Sequence, residues 1–216
     1  MPEHADDEQE YAERLAQDAD VLKSGWTATI EEMKAMAAEY EEQGWNAYYV
    51  ASGHTATEPP SVGPEGRFGI VHVIPGNYAD DFVKAFEQGE FPEYDVFRQE
   101  ADGHVFFVTK LVDEDSKNAI FIAGQYELWN AANTVSHAME VGHIFTHVQK
   151  LDGTMLGSFK HDDPAKFFPH AEDFKEHYGA AMGQNQGDVS GRAVSSAEVE
   201  GQLREKEEQL NDQLEE

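Results

Sequence analysis

Two Asp-Gly pairs, Asp102-Gly103 and Asp152-Gly153, constrain this chain more than anything else in it. Asp-Gly suits a tight turn whose two central residues both take positive φ, and that turn matches the twist of a two-stranded antiparallel ribbon. Each pair is flanked by runs with alternating apolar positions. EYDVFRQE precedes the first and HVFFVTKLV follows it; HIFTHVQKL precedes the second and TMLGSFKH follows it. Two hairpins are therefore predicted. A turn at EDSK leads into a further strand, NAIFIA, so the middle of the chain reads as an antiparallel meander. WNAYYVAS (45–52) and RFGIVHVIP (67–75) are strands by their aromatic and β-branched content, and HTATEPPSVGPEG between them reads as a Pro/Gly loop.

Helical periodicity fills the rest. Tyr11, Leu15, Leu22, Trp26, Ile30, Met33, Ala37 and Tyr40 recur on one stripe of an N-terminal helix. Ser24-Gly25 is expected to split it into an acidic leader (1–23) and a docked part, and Gly44 is expected to end it as a C′ residue. A short helix follows Asn77, a candidate N-cap, and stops at Gly89; another spans 126–142; a third begins near Pro164. A single α+β domain is thus expected over 24–179. Its antiparallel sheet of six or seven strands would be packed by helices in the order β–β–α–β–β–β–α–β–β. After Gly179 a Gly-rich linker (180–195) leads to an acidic helix (196–216) with a thin apolar stripe of Val199, Leu203, Leu210 and Leu214. That stripe covers little more than two heptads and is the candidate surface for a protein partner or self-association.

Charge bounds the function. The chain has 43 Asp and Glu against 15 Lys and Arg, a formal net charge of −28, and no Cys. Such a chain repels itself in dilute buffer. In molar salt the screening length falls to about 3 Å and the carboxylates serve as hydrated surface. A salt-in cytoplasm is the setting this favours. The scattered Lys and Arg form no basic footprint, so nucleic acid is not an expected partner. No run reaches the roughly 18 apolar residues of a membrane helix, and the N-terminus has no signal-peptide pattern, so a cytoplasmic protein with no membrane partner is expected. The lack of Cys removes disulfides, thiolate nucleophiles and cysteine-based metal sites.

A helix ending in EYEEQGW, the strand GIVHVIP, the hairpin VFRQEADGHVFFV and the closing FTHVQKL…GSFKHDDPAKFF together resemble an uncharacterised haloarchaeal domain family, over about residues 26–168. These shared segments are structural. The resemblance implies a salt-adapted origin and carries no activity and no functional residue across.

The chemistry-bearing segment is HAMEVGHIFTHVQK (137–150). As one helix it would put His143 and His147 about 6 Å apart, as in a metal-binding pair. Gly142 and the β-rich residues after it favour helix, glycine, strand instead. Positions four apart in a strand stand about 13 Å apart, too far for one tetrahedral ion. A two-residue turn at Asp152-Gly153 pairs Leu151 with Thr154, Val148 with Gly157 and His147 with Ser158, and places Ile144, Val148, Met155 and Phe159 on the core face. His147 then becomes a polar, partly exposed strand residue. KHDDP (160–164) supplies the remaining candidates, with an Asp before Pro read as a helix cap. If a metal site exists, its ligands are His143, His161 and Asp162, reached across the hairpin end. Ser52, His54 and Asp80 make no convincing triad, since no nucleophile elbow precedes them. No phosphate-binding glycine loop is present either. No cofactor is expected. Two readings follow: a non-catalytic binding or assembly module, preferred, and a small metal-dependent hydrolase built on His143, His161 and Asp162.

Overall fold

The computed structural model describes residues 3–171, with side chains from 19 onward. The Gly-rich linker, the C-terminal helix and the stripe Val199, Leu203, Leu210 and Leu214 lie outside the described residues.

A single helix, α1 (Glu3–Glu42), opens the chain and runs unbroken through Ser24-Gly25. Gly25 is a point of close approach instead of a break: a Cβ there would come within 2.8 Å of the Phe106 ring. The C-terminus of α1 is set by Gly44 at φ 80°. The Gly44 N–H donates to Glu41 O and the Trp45 N–H to Tyr40 O, and the Tyr40 and Trp45 rings meet edge to face at 5.1 Å. Paired backbone bonds and a hydrophobic contact across the stop are how a left-handed glycine ends a helix.

Eight strands follow. β1 (Asn46–Ala51), β2 (His54–Glu58) and β3 (Gly69–Val73) precede helix α2 (Ala79–Phe86). β4 (Glu93–Ala101), β5 (His104–Asp113) and β6 (Asn118–Glu127) form the meander. Helix α3 (Ala132–Val141) leads to β7 (Ile144–Gln149) and β8 (Met155–His161). They make two four-stranded mixed sheets, ordered β1-β6-β5-β4 and β2-β3-β7-β8. This corrects the single antiparallel sheet expected from the sequence. β1 pairs parallel with β6 and β3 parallel with β7, while the meander and the hairpins stay antiparallel. His54–Glu58 is a strand paired with β3, although its run into Pro59-Pro60 reads as loop. The chain passes from one sheet to the other at Ser52-Gly53, between β1 and β2.

The sheets pack face to face, and three buried clusters hold the molecule together. α1 covers the outer face of the first sheet, where Ile30, Met33 and Ala37 meet Ala51, Val108, Ala119, Phe121 and Ala123. Alanines on both sides of this contact let the helix axis lie close to the strands. Between the sheets, α2 closes one end, with Phe82 and Ala85 against Ile120, Ile122, Val148 and Phe159. α3 closes the other, with Val135 and Ala138 among Ile70, Phe107, Tyr126, Ile144 and Phe168. Removing each such large side chain from water contributes roughly 1.5–3 kcal/mol before entropy is counted.

α2 is entered through a 3-10 turn, Gly76–Tyr78, and no side chain caps it; Asn77 is therefore not the cap its position implied. Asp163 does cap, but a 3-10 turn (Pro164–Lys166), by accepting from Ala165 N at 3.2 Å.

Candidate functional site

The segment 137–150 folds as helix, glycine and strand. α3 ends at Gly142, which takes φ 72° and donates its N–H to Ala138 O, and β7 begins at Ile144. In the hairpin, His147 pairs with Ser158 and Val148 with Gly157, as expected, but the two-residue turn that was to pair Leu151 with Thr154 does not form: the Lys150 N–H donates to Thr154 O and only Gly153 takes positive φ. The register then shifts: Gln149 pairs with Met155, leaving Leu156 as an extra residue. A bulge of this kind puts two residues opposite one and turns the chain. Leu156 therefore packs with Val148 and Phe159, whereas Met155, expected in the core, is 40% exposed.

The histidines fall into two environments. His72 (β3) and His161 (β8) lie in the space between the sheets, 0% and 1% exposed. The His72 ring rests over Gly124 of β6, where a Cβ would come within 2.5 Å of its Cε1. Its Nδ1 meets Thr55 Oγ1 at 3.2 Å, Thr55 meets Ser52 Oγ at 2.7 Å, and Ser52 donates to Ala123 O. This short polar chain crosses from the second sheet to the first. His161 Nε2 meets Thr146 Oγ1 at 3.0 Å, and its ring lies against Tyr94 and Phe167. His72 Nε2 and His161 Nδ1 have no protein hydrogen-bond partner among the described residues, nor does Thr109 Oγ1 opposite. Burial pushes both imidazoles down to about 3, so both are neutral in the fold; Asp162 opposes the shift at His161.

His147 lies on the other face of the second sheet and is satisfied at both nitrogens. Nδ1 meets Ser158 Oγ at 2.7 Å and Nε2 meets Phe68 O at 3.1 Å. It is 6% exposed, which corrects the partly exposed position expected of it. The carbonyl accepts, so Nε2 carries the proton and Nδ1 accepts from Ser158. Burial lowers its pKa, and the Phe68 carbonyl partly opposes that. The His147 ring is stacked on Phe145 with an interplanar angle of 12°. Phe145 in turn meets Phe68 and His143 edge to face.

The three candidate metal ligands lie apart in their contacts. His143 lies against Phe68 and Phe145, while His161 lies between Tyr94 and Phe167. The Asp162 carboxylate accepts from the Tyr94 hydroxyl. The three candidate ligands turn to different neighbours, and among the described residues no group of three or more His, Asp and Glu side chains is placed to hold an ion. His161, the last residue of β8, faces the core, and Asp162 lies just past the strand end and is exposed.

Sequence reasoning missed the concave feature beside His147. A pocket of about 470 Å³, open to solvent, is lined by Pro64–Phe68, Phe145 and His147. Arg67 lies across it. Nε and Nη2 donate to Glu58 Oε2 at 3.2 and 2.8 Å, and Nη1 donates to Gln149 Oε1 at 3.3 Å. Glu58 and Gln149 come from β2 and β7, so the guanidinium spans the face of the second sheet. The one signal in the sequence was the long loop starting at Glu58, with glycines at 63, 66 and 69 around the arginine.

Fold and site together define an α+β two-sheet sandwich, flanked by one long helix, with a solvent-open aromatic and guanidinium pocket on the second sheet. The family model that matches, over residues 12–169, is described as a family of unknown function (DUF7529). The chain belongs to that family, and the match takes in nearly all of the described body. No curated protein and no solved structure matches it. Among the described residues no helix is long and apolar enough to cross a membrane.

Proposed function

We propose that the chain is a non-catalytic binding or assembly module of a salt-adapted cytoplasm, self-associating through its terminal helices. The observation that carries this reading is the length of α1. The residues that pack on the first sheet run from Gly25 to Tyr40, and Asp20 and Val21 lie beside Ala101, at the end of β4 next to the hairpin tip. The helix continues from there to Glu3, a further 17 residues or about 25 Å of helix. A helical extension gains most of its stability from packing an apolar face on a neighbour. A partner that covers it is the simplest source of its stability, and the stripe of Val199, Leu203, Leu210 and Leu214 in the same chain has the spacing to pair with it or with a copy of itself.

The test is light scattering on the full chain in molar KCl. The native protein is expected to be a dimer or larger, and replacing Leu203, Leu210 and Leu214 together by Ala is expected to return it to monomer mass. Monomer mass for the native protein at tens of micromolar would remove the self-association reading.

A further inference from the structure

We propose that the pocket beside Arg67 binds a small carboxylate with a flat apolar body. The wall that carries Arg67 is tightly built. Pro64 to Arg67 form a turn closed by the Arg67 N–H on Pro64 O at 3.0 Å, with Glu65 at φ 54° and Gly66 at φ 78°. Side chains other than glycine rarely adopt that left-handed region, so the turn keeps Glu65 there against its local preference. Two close approaches fix the turn in place. A Cβ on Gly63 would come within 1.9 Å of Arg67 O, and one on Gly69 within 2.1 Å of Phe145 O. A plain connector needs none of this.

The chemistry inside selects the ligand. A guanidinium carries five N–H donors. Glu58 takes two and Gln149 one, so one N–H on each terminal nitrogen remains for the two oxygens of a carboxylate. Glu58 places its charge on Arg67 and holds the fork still, which lowers the ordering cost of binding. Phe145 and His147 stack nearly parallel beside it, and Phe68 closes the end. His147 has both nitrogens engaged and is 6% exposed, so it backs Phe145, the ring left partly open to the pocket. A flat body stacks on such a platform. Lys160 lies 6.0 Å from the Phe145 ring centre and, with Arg67, disfavours a cationic ligand. Exposed Glu65 on the rim opposes anions in dilute buffer, an effect that molar salt screens.

The test uses the full chain in molar KCl, with sodium benzoate as probe and neutral benzamide as its isosteric control, followed by proton–nitrogen NMR. Benzoate is expected to give saturable shifts at the Gly66, Phe68 and Phe145 amides and at the Arg67 Nε–H, with an affinity at least tenfold above that of benzamide. Equal affinity for the two, or no shifts around Arg67, overturns the proposal. The paired variant Glu58→Gln with Arg67→Gln removes the guanidinium without stranding its partner's charge. If it folds, it is expected to lose benzoate binding, and retained binding overturns the proposal. If it does not fold, the comparison of benzoate with benzamide on the native protein decides alone.

Discussion

The two sheets share a strand count and a mixed topology, yet they live in different surroundings. The first is covered on both sides, by α1 outside and by the second sheet inside, and its central strands are buried almost throughout. The second keeps an outer face that is half open, with Phe145, Arg67 and Lys160 along it, and it supplies the buried histidines of the sandwich interior. Stability is therefore concentrated in the first sheet, and chemically distinctive side chains in the second. A face buried against a helix has room only for apolar groups, whereas a face bordered by loops can hold an ion pair and a pocket.

The sharpest way to break that comparison is to truncate one phenylalanine in each sheet. Phe121 of β6 is fully buried under α1, and Phe121→Ala is expected to cost about 3–5 kcal/mol in chemical denaturation. Phe145→Ala, on the open face, is expected to cost only roughly 1 kcal/mol. Equal losses would mean that the outer face of the second sheet is as tightly covered as that of the first.

Acid probes the interior face of the second sheet. His72 and His161 are held near 3 in the fold and return to about 6.5 in the unfolded chain. Below pH 6.5 the unfolded state binds more protons, so this stability is complete above 6.5 and is lost as the pH falls toward 3. At pH 5 the loss is roughly 2 kcal/mol for each of the two histidines. Melting temperatures in molar KCl should fall between pH 7 and pH 5, a range in which the carboxylates stay mostly ionised. The fall should be clearly shallower in His161→Phe. A melting temperature independent of pH across that range would show that these two side chains take up protons freely in the fold.

The contact between the sheets is tested by Gly124→Ala. The new methyl would meet the His72 ring and Thr55 Oγ1 inside contact distance, and a loss of about 1–3 kcal/mol is expected. His72→Ser in the same chain should recover part of it. Additive losses in the double variant would show that the ring does not rest on Gly124.

Part of this was legible beforehand. The meander follows from Asp102-Gly103, where both residues take positive φ as a tight turn requires. The pairing of His147 with Ser158 comes out as expected by cancellation: at Asp152-Gly153 only the glycine takes positive φ, the turn is one residue longer than the expected one, and the Leu156 bulge restores the register. The helix-to-strand switch at Gly142 follows from a single residue that favours a left-handed cap. Met155 and Leu156 exchanged places because a one-residue bulge flips alternation, and nothing in TMLGSFKH marks it. The division into two sheets was hidden for a different reason. β1 and β3 choose parallel partners more than seventy residues away, at β6 and β7, and such a choice leaves no local pattern. The Arg67 pocket stayed hidden because Glu58, Arg67 and Gln149 come from three strands or their ends and meet only once those strands are paired. His161 and Asp162 are neighbours in sequence, but His161 ends β8 on the core side and Asp162 begins the exposed turn after it.

Those two distant parallel pairings also govern how the chain reaches this state. The β4–β5–β6 meander and the β2–β3 and β7–β8 hairpins join neighbours in sequence and close quickly. β1 must then find β6, and β3 must find β7, across loops whose closure entropy is already a large share of the barrier. Since β1 and β2 are joined by only two residues at Ser52-Gly53, completing either sheet brings the other's unpaired strands close to their partners. Two non-local pairings tied through one short link are expected to make the sandwich slow to assemble and cooperative to lose.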